Sequence, residues 1–141
     1  MENNIEAPKP IVNGKMVGFN GYLGLEVLKS ENGHSEVKLD IRPEFFNHMK
    51  SLHGGLLFTI ADVAGGVAVR AAGEVACTTM SSNIVYMSPG IGTKTLYAYG
   101  DVLKHGRKTT ISEVLVTDEN GKKLIKMTAT YFNLSGDLKT K

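Results

Sequence analysis

The sequence predicts an α+β fold in which an antiparallel sheet of about six strands wraps around one central helix. Several segments alternate apolar and polar residues, which is the period of half-buried strands. One segment, residues 54–71, instead repeats its apolar residues every three or four positions, which is the period of a helix. A long antiparallel sheet must cover its apolar face, and this helix is the segment available to cover it.

Two strands are expected before the helix. Apolar residues alternate over residues 22–29, and Glu31-Asn32-Gly33 is a turn signal typical of a hairpin. Alternation resumes over residues 37–41 and ends at Pro43, because proline cannot donate to the strand ladder. Residues 1–18 are expected to form a flexible lead-in to a single domain over residues 19–135, followed by a tail, residues 136–141.

The helical segment is apolar on nearly all sides, which predicts a helix enclosed by other structure. Its period rests on Leu57, Ile60, Ala61, Ala64, Val67, Ala68 and Ala71. Gly65 and Gly66 lie inside it, and each should cost about 1 kcal/mol relative to alanine. Close approach of another backbone would account for both glycines.

Four strands are expected after the helix, at residues 76–87, 94–104, 109–117 and 123–134. Short turns join the last three, so they should be antiparallel neighbours. The first of these four strands alternates throughout, which predicts that Thr79 and Tyr86 lie on opposite faces.

Composition limits the class of protein. A chain of 141 residues, with 42% hydrophobic and 21% charged residues, fits one globular domain. The net charge of +2 is too small to indicate a nucleic-acid partner. The single cysteine, Cys77, excludes an intramolecular disulfide and is interpreted as a packed residue, and the histidines lack the spacing of metal ligands. Residues 1–10 lack the apolar core of a signal peptide, and no uninterrupted apolar run reaches membrane-spanning length, so a cytoplasmic protein is expected.

Asp62 is the only charged side chain between Gly54 and Val69. Burial of an unpaired carboxylate is costly, and aspartate is a poor residue for a helix interior. One interpretation is an ordinary pairing with a backbone group or with a lysine or arginine from a strand. The other is a desolvated carboxylate that serves as general base or nucleophile.

The sequence His53-Gly54-Gly55 directly precedes the helix, where amides lack internal partners and the helix dipole is positive. An N–H group there can stabilise an oxyanion, although paired glycines are also common in loops. His53 and Asp62 are nine residues apart, roughly 13 Å along a helix axis and about half a turn out of phase. If both serve one reaction, two chains must share each site, which predicts a symmetric dimer.

The spacing of these residues resembles the phenylacetate-degradation (PaaI) type of hotdog-fold acyl-CoA thioesterase. Asn47 is followed after five residues by His53-Gly54-Gly55, and Asp62 follows after six more. Residues 83–89, Asn-Ile-Val-Tyr-Met-Ser-Pro, and 102–107, Val-Leu-Lys-His-Gly-Arg, look like the strand and hairpin that follow in that family. The resemblance covers about residues 20–134 and implies a hotdog fold, hydrolysis of an acyl- or aryl-CoA thioester, no cofactor, and a dimer or homotetramer.

The resemblance also implies roles for individual residues. Asp62 matches the catalytic carboxylate, and Gly54 matches the glycine whose amide polarises the thioester carbonyl. Asn47 matches a polar residue that positions water or the carboxylate from the partner chain, and His53 matches one that shapes the oxyanion turn. Thr79 stands where relatives have a serine or threonine near the carboxylate.

Other residues are candidates for substrate binding. Gly55 lets a ligand approach the backbone, and Ser81 stands where some relatives have an acidic residue, so the acyl pocket is expected to differ. A basic hairpin is either a solvated turn or a contact for CoA phosphates. Its residues are Lys104, His105, Arg107 and Lys108. The rival functions are a hotdog hydratase or dehydratase and a non-catalytic acyl-CoA binding or sensing protein.

Overall fold

The computed structural model describes residues 11–12, 15–73 and 76–134. A short hairpin, β1 and β2, and a short helix, α1, precede the main sheet, and one long helix, α2, follows its first two strands. The elements are β1 (Ile11–Val12), β2 (Lys15–Met16), α1 (Gly18–Leu23), β3 (Glu26–Glu31), β4 (His34–Asp40), a 3-10 turn (Pro43–Phe45), α2 (Gly54–Gly73), β5 (Cys77–Tyr86), β6 (Thr95–His105), β7 (Thr109–Asp118) and β8 (Lys123–Asn133).

The main sheet has six antiparallel strands in the order β3-β4-β6-β7-β8-β5. The chain turns back on itself in three hairpins, and α2 carries it from β4 to the far edge, where β5 pairs with β8. One side of α2 packs on one face of the sheet and forms the core with alternate strand residues. The predicted α+β fold, with six strands around one helix, is confirmed.

Helix α2 is less enclosed than predicted. Leu57, Ile60 and Ala64 are buried, but Asp62 and Val67 on its other side are half-buried. By length and composition alone this helix could cross a membrane, although no membrane span was expected from the sequence. Its packing against the sheet is that of a core helix.

The first predicted strand, residues 22–29, was wrong in its first half. Gly18–Leu23 form α1, which ends at Gly24 with φ 92°, a left-handed conformation favoured by glycine. Leu23 and Leu25 are both buried, Leu23 at the end of α1 and Leu25 just before β3. Their spacing of two residues therefore looked like the alternation of a strand. Part of the predicted lead-in lies in β1 and β2; residues 1–10, 13–14 and 136–141 lie outside the described residues.

The predicted faces of β5 were also wrong, because the strand contains a β-bulge. Thr79 pairs with Tyr131 and Ser81 with Thr130, so Met80 is an extra residue on the β5 side. A bulge of this kind shifts the alternation by one residue. Thr79 and Tyr86 therefore both face α2, and each makes a hydrogen bond to it.

The two glycines inside α2 do not serve the backbone approach that was expected for them. A Cβ at Gly65 would overlap the Tyr131 hydroxyl and lie 3.0 Å from Ser112 Oγ, so this glycine makes room for side chains. The close backbone approach occurs one residue earlier, where the Ala64 carbonyl lies against Gly100 of β6. Gly66 has only ordinary contacts around its Cβ position.

Candidate active site

The first turn of α2 exposes a backbone amide. His53 caps the helix, since its carbonyl accepts hydrogen bonds from the amides of Leu56 (3.0 Å) and Leu57 (3.3 Å) and its Nδ1 accepts one from the amide of Gly55 (2.9 Å). The amide of Gly54 has no acceptor among the described residues. It is therefore free to donate to a carbonyl or oxyanion at the positive end of the helix.

A cavity of about 310 Å³ opens beside this amide. The Tyr86 hydroxyl donates to the Gly54 carbonyl (2.8 Å) and so holds the end of β5 against the start of α2. The cavity is lined by Ser51, Leu52, Gly54, Leu57, Tyr86, Met87, Ser88, Pro89 and Gly90. A small apolar or aromatic group could occupy it next to the free N–H.

Asn47 organises the loop before the helix. Its Oδ1 accepts hydrogen bonds from the amides of Met49 (2.9 Å) and Ser51 (3.2 Å), and its Nδ2 donates to Ser51 Oγ (3.0 Å). These bonds stabilise a turn in which Lys50 has φ 63°. One N–H of the Asn47 amide has no partner among the described residues and is the donor left to bind water or a carboxylate.

Asp62 lies half-buried on the side of α2 that faces β5 and β8. Its Oδ1 accepts hydrogen bonds from Thr79 Oγ1 (2.7 Å) and from the hydroxyl of Tyr131 (3.2 Å). Within the described chain Oδ2 has no hydrogen-bond partner, and no lysine or arginine pairs with the carboxylate. The ordinary interpretation, a backbone or basic partner, was therefore wrong: both partners are hydroxyl groups.

The two halves of the site lie along the same side of the helix. Gly54 contacts Tyr86 and Asp62 contacts Thr79, and both contacts are with β5. Eight residues separate Gly54 from Asp62, about 12 Å along the axis and only about a quarter turn around it. The expectation that the halves face opposite ways was wrong, because it was based on His53, which caps the helix from outside. Their separation along the axis remains too long for one thioester carbonyl.

The profile of the thioesterase superfamily matches residues 49–125 of this sequence, which is more than half of the chain and contains both halves of the site. The chain belongs to the thioesterase superfamily. Tyr131, which touches Asp62, follows the matched segment in β8.

Individual relatives agree with this assignment. The thioesterase is 27% identical over 100 residues to the acyl-coenzyme A thioesterase PaaI of Escherichia coli K12, covering 71% of each chain. It is 30% identical over 106 residues to a putative esterase of Halobacterium salinarum, covering 70% of this chain and 69% of that one.

Among solved structures, a hypothetical thioesterase of Streptococcus pneumoniae TIGR4, crystallised with coenzyme A, superposes with a TM-score of 0.74 at 29% identity. The match covers 79% of this chain and 87% of that one. A Streptococcus mutans protein bound to acetyl-CoA superposes with a TM-score of 0.75 at 28% identity, covering 79% and 90% of the two chains. The thioesterase has the hotdog fold of these neighbours.

Tyr131 is the residue of this site that sequence reasoning missed. In β8 the residues that face α2 are Ile125, Met127, Ala129 and Tyr131, all of them buried. A hydroxyl at the end of an otherwise apolar alternation needs a hydrogen-bond partner, and that requirement was the available signal. Its partner could not be read from the sequence, because Asp62 is 69 residues away.

Two predicted substrate-binding residues, Ser81 and Gly55, lie apart from the Asp62 carboxylate. Ser81 follows the bulge and is exposed, and by alternation from Tyr86 it points to the opposite face of the sheet from Thr79. Gly55 is exposed, but its amide is already bonded to His53. The Cys77 thiol is half-buried and donates to the Gly66 carbonyl (3.8 Å), and burial raises its pKa, which fits the prediction of a packed cysteine.

The basic hairpin between β6 and β7 lies at the other end of α2 from Gly54. All four of its basic residues, Lys104, His105, Arg107 and Lys108, are exposed. His105 Nδ1 lies 2.9 Å from Thr110 Oγ1, and Asn133 Nδ2 donates to the Gly106 carbonyl (2.8 Å), so the turn is attached to the end of β8. This location is on the Asp62 side of the site rather than the Gly54 side. Over the described part of the chain, no cluster of His, Cys, Asp and Glu could hold a metal ion.

Proposed function

We propose that this thioesterase hydrolyses an acyl- or aryl-CoA thioester to the free acid and CoA. The observation that carries the proposal is one helix with, among the residues that the structure describes, an unbonded amide at its start and a carboxylate with one unbonded oxygen in its middle. The first suits a developing oxyanion, and the second suits proton removal or nucleophilic attack. The activity named for the Escherichia coli relative and the CoA in the Streptococcus pneumoniae structure support the choice of thioester.

The mechanism follows from these two groups. The thioester carbonyl oxygen accepts a hydrogen bond from the Gly54 amide, which polarises the carbonyl. Asp62 Oδ2 either takes a proton from a water that attacks the carbonyl carbon, or attacks that carbon itself to form an anhydride that water then hydrolyses. In both routes the carbon–sulfur bond breaks, CoA leaves as the thiolate and takes up a proton, and no cofactor is required.

The separation of Gly54 and Asp62 supports a dimer in which each site takes one group from each chain. Strand β5 lies at the edge of the sheet, and its exposed apolar side chains include Met80 and Val85. An antiparallel pairing of two β5 strands, with a two-fold axis near Ser82 and Asn83, would set Thr79 of one copy opposite Tyr86 of the other. Asp62 of one chain would then approach Gly54 of the second.

The remaining residues support this arrangement in defined ways. His53 holds the first turn so that the Gly54 amide points outward, and Asn47 keeps the preceding loop in place and offers one N–H to water or to the carboxylate. In the dimer the basic hairpin would lie beside the Asp62 that completes each site, where its cations could contact CoA phosphates. Assembly of two dimers into a homotetramer, and a cytoplasmic location, remain predictions.

The test is the release of free CoA thiol across a panel of aryl and aliphatic acyl-CoAs. Replacement of Asp62 by asparagine retains an oxygen for the Thr79 hydroxyl but removes the base, so kcat should fall by at least about 1,000-fold. Asp40→Asn on the exposed face of β4 is the matched control, and it should leave kcat unchanged. Equal rates for native protein and Asp62→Asn would refute the mechanism.

The same assay separates the rival functions. Hydration or dehydration of the acyl chain without thiol release would indicate a hydratase. Tight binding of acyl-CoA without turnover, unchanged by Asp62→Asn, would indicate a binding protein.

A further inference from the structure

We infer that Tyr131 is a positioning residue for thioester hydrolysis: its hydroxyl, seated in the space left by Gly65, orients Asp62 so that Oδ2 faces the substrate. The inference deepens the proposed function and rests on it. Tyr131 lies in β8 and is 2% exposed, so it is not a surface group that could reach the substrate. Its effect on the reaction must pass through Asp62.

The Tyr131 hydroxyl contacts both the main chain and the side chain of the same aspartate. It lies 2.9 Å from the Asp62 carbonyl oxygen and 3.2 Å from Oδ1. A phenol has one proton, and these two oxygens share it in a bifurcated hydrogen bond. Both are acceptors of Asp62, and the contact therefore ties the side chain to its own backbone and limits rotation about the Cα–Cβ bond.

Thr79, the cross-strand partner of Tyr131 in β5, completes the orientation. Its Oγ1 donates to the same oxygen, Oδ1, at 2.7 Å. Two hydroxyls from neighbouring strands thus hold Oδ1, while Oδ2 has no partner in the described part of the chain. One oxygen is the anchor, and the other is the reacting atom.

The Tyr131 hydroxyl keeps its proton, and so remains a hydrogen-bond donor, over the pH range in which the enzyme works. Burial raises its pKa well above the usual tyrosine value, and the neighbouring Asp62 charge raises it further. A tyrosinate next to the carboxylate is therefore strongly disfavoured. The hydroxyl can donate to Asp62 in each stage of the reaction.

Gly65 of α2 leaves the space that the Tyr131 hydroxyl occupies. A Cβ at this position would overlap the Tyr131 hydroxyl and lie 3.1 Å from Cζ of the same ring. At Gly66 the nearest ring atom would be 3.7 Å away, an ordinary contact. The glycine that lowers helix propensity at position 65 is thus the one that admits the hydroxyl.

The chain offers a matched control in Ser35. Its hydroxyl is fully buried and donates to the Ala64 carbonyl of the same helix at 2.6 Å, but it does not touch the Asp62 carboxylate. Ser35→Ala and Tyr131→Phe each remove one buried hydroxyl bonded to a backbone carbonyl of α2. Only Tyr131→Phe also removes a hydrogen bond to the Asp62 carboxylate.

The experiment measures kcat and KM for acyl-CoA hydrolysis, with Tm for each variant. We expect Tyr131→Phe to lower kcat by about 10- to 100-fold with KM within about twofold, because misorientation of a reacting group affects the chemical step. We expect Ser35→Ala to lower Tm about as much as Tyr131→Phe does, but to leave kcat within about twofold of the native value.

A second pair of variants tests the steric relation. Gly65→Ala should lower kcat as Tyr131→Phe does, because the new methyl displaces the hydroxyl. In the Tyr131→Phe background the added loss from Gly65→Ala should be smaller than in the native background, since the displaced hydroxyl is gone. Additive losses would overturn the steric part of the inference.

The outcomes separate this inference from the proposed function. Turnover by the native chain with kcat unchanged in Tyr131→Phe overturns the inference alone. Equal losses of kcat in Tyr131→Phe and Ser35→Ala, in proportion to Tm, show a structural role and also overturn it. No thiol release by the native chain from any acyl-CoA of the panel overturns the proposed function, and this inference with it.

Discussion

The start and the middle of α2 present different kinds of reactive group, a backbone amide and a side-chain carboxylate. At the start, a reactive backbone group is left open: within the described ranges the Gly54 amide has no acceptor and lies beside a cavity, and the amide of its neighbour Gly55 donates to His53. In the middle, a reactive side chain is held: Asp62 is bonded through one oxygen by two hydroxyls. A backbone N–H is oriented by the helix itself, whereas a carboxylate on a rotatable bond needs neighbours to orient it.

The comparison predicts that the Gly54 half depends on one N–H group. Gly54→Pro removes that N–H at the first helical position, where proline is tolerated, and should lower kcat by about 100- to 1,000-fold. Gly54→Ala keeps the N–H, and its Cβ would meet the Tyr86 ring at 3.4 Å, an ordinary contact, so kcat should stay near native. Steady-state kinetics on both variants checks this prediction. A kcat that falls strongly in Gly54→Ala but not in Gly54→Pro would contradict it.

The two halves should complement each other between chains. Asp62→Asn and Gly54→Pro proteins, each nearly inactive, should regain activity when unfolded together and refolded as a mixture. With random pairing, half of the dimers are mixed and each has one intact site, so about a quarter of native kcat is expected. The thiol-release assay after refolding measures it. Mixtures no more active than the separate variants would indicate sites contained within one chain.

The Asp62 half should be sensitive to the hydroxyl of Thr79. Thr79→Val removes the 2.7 Å bond with little change in shape and should lower kcat roughly tenfold, the equivalent of one hydrogen bond to a charged group. Thr79→Ser retains the donor and should recover most of the loss. Kinetics at saturating acyl-CoA tests both, and equal losses in the two variants would point to packing instead.

The smallest effect is expected at Tyr86, which supports the Gly54 half from outside. Tyr86→Phe removes the bond to the Gly54 carbonyl and should lower the free energy of unfolding by about 1 kcal/mol, with kcat changed less than in Thr79→Val. Urea unfolding measures the difference. Tyr97→Phe, at a half-buried tyrosine of β6, is the control, and an equal loss there would contradict a specific role for Tyr86.

Local patterns were sufficient for the fold class and for part of the site. The period of residues 54–71 identified α2, and the isolated charge of Asp62 singled it out in an apolar helix. The placement of His53 directly before the helix also led to the free amide of Gly54. These features depend on residues close together in the chain, and periodicity and capping preferences report such relations well.

The sequence by itself determined the central helix, the succession of two strands, helix and four strands along the chain, and the two reactive groups, because each follows from spacing along the chain. Only the tertiary structure decided what surrounds the carboxylate. Met80 is an extra residue only when β5 is compared with its partner β8, so the bulge is not visible in the sequence of β5. This bulge brings Thr79 and Tyr86 to one face of the sheet. The Tyr131 hydroxyl meets Asp62 across 69 residues of sequence, a contact that no local period encodes. A carboxylate can be found from its neighbours in sequence, but its orientation comes from its neighbours in space.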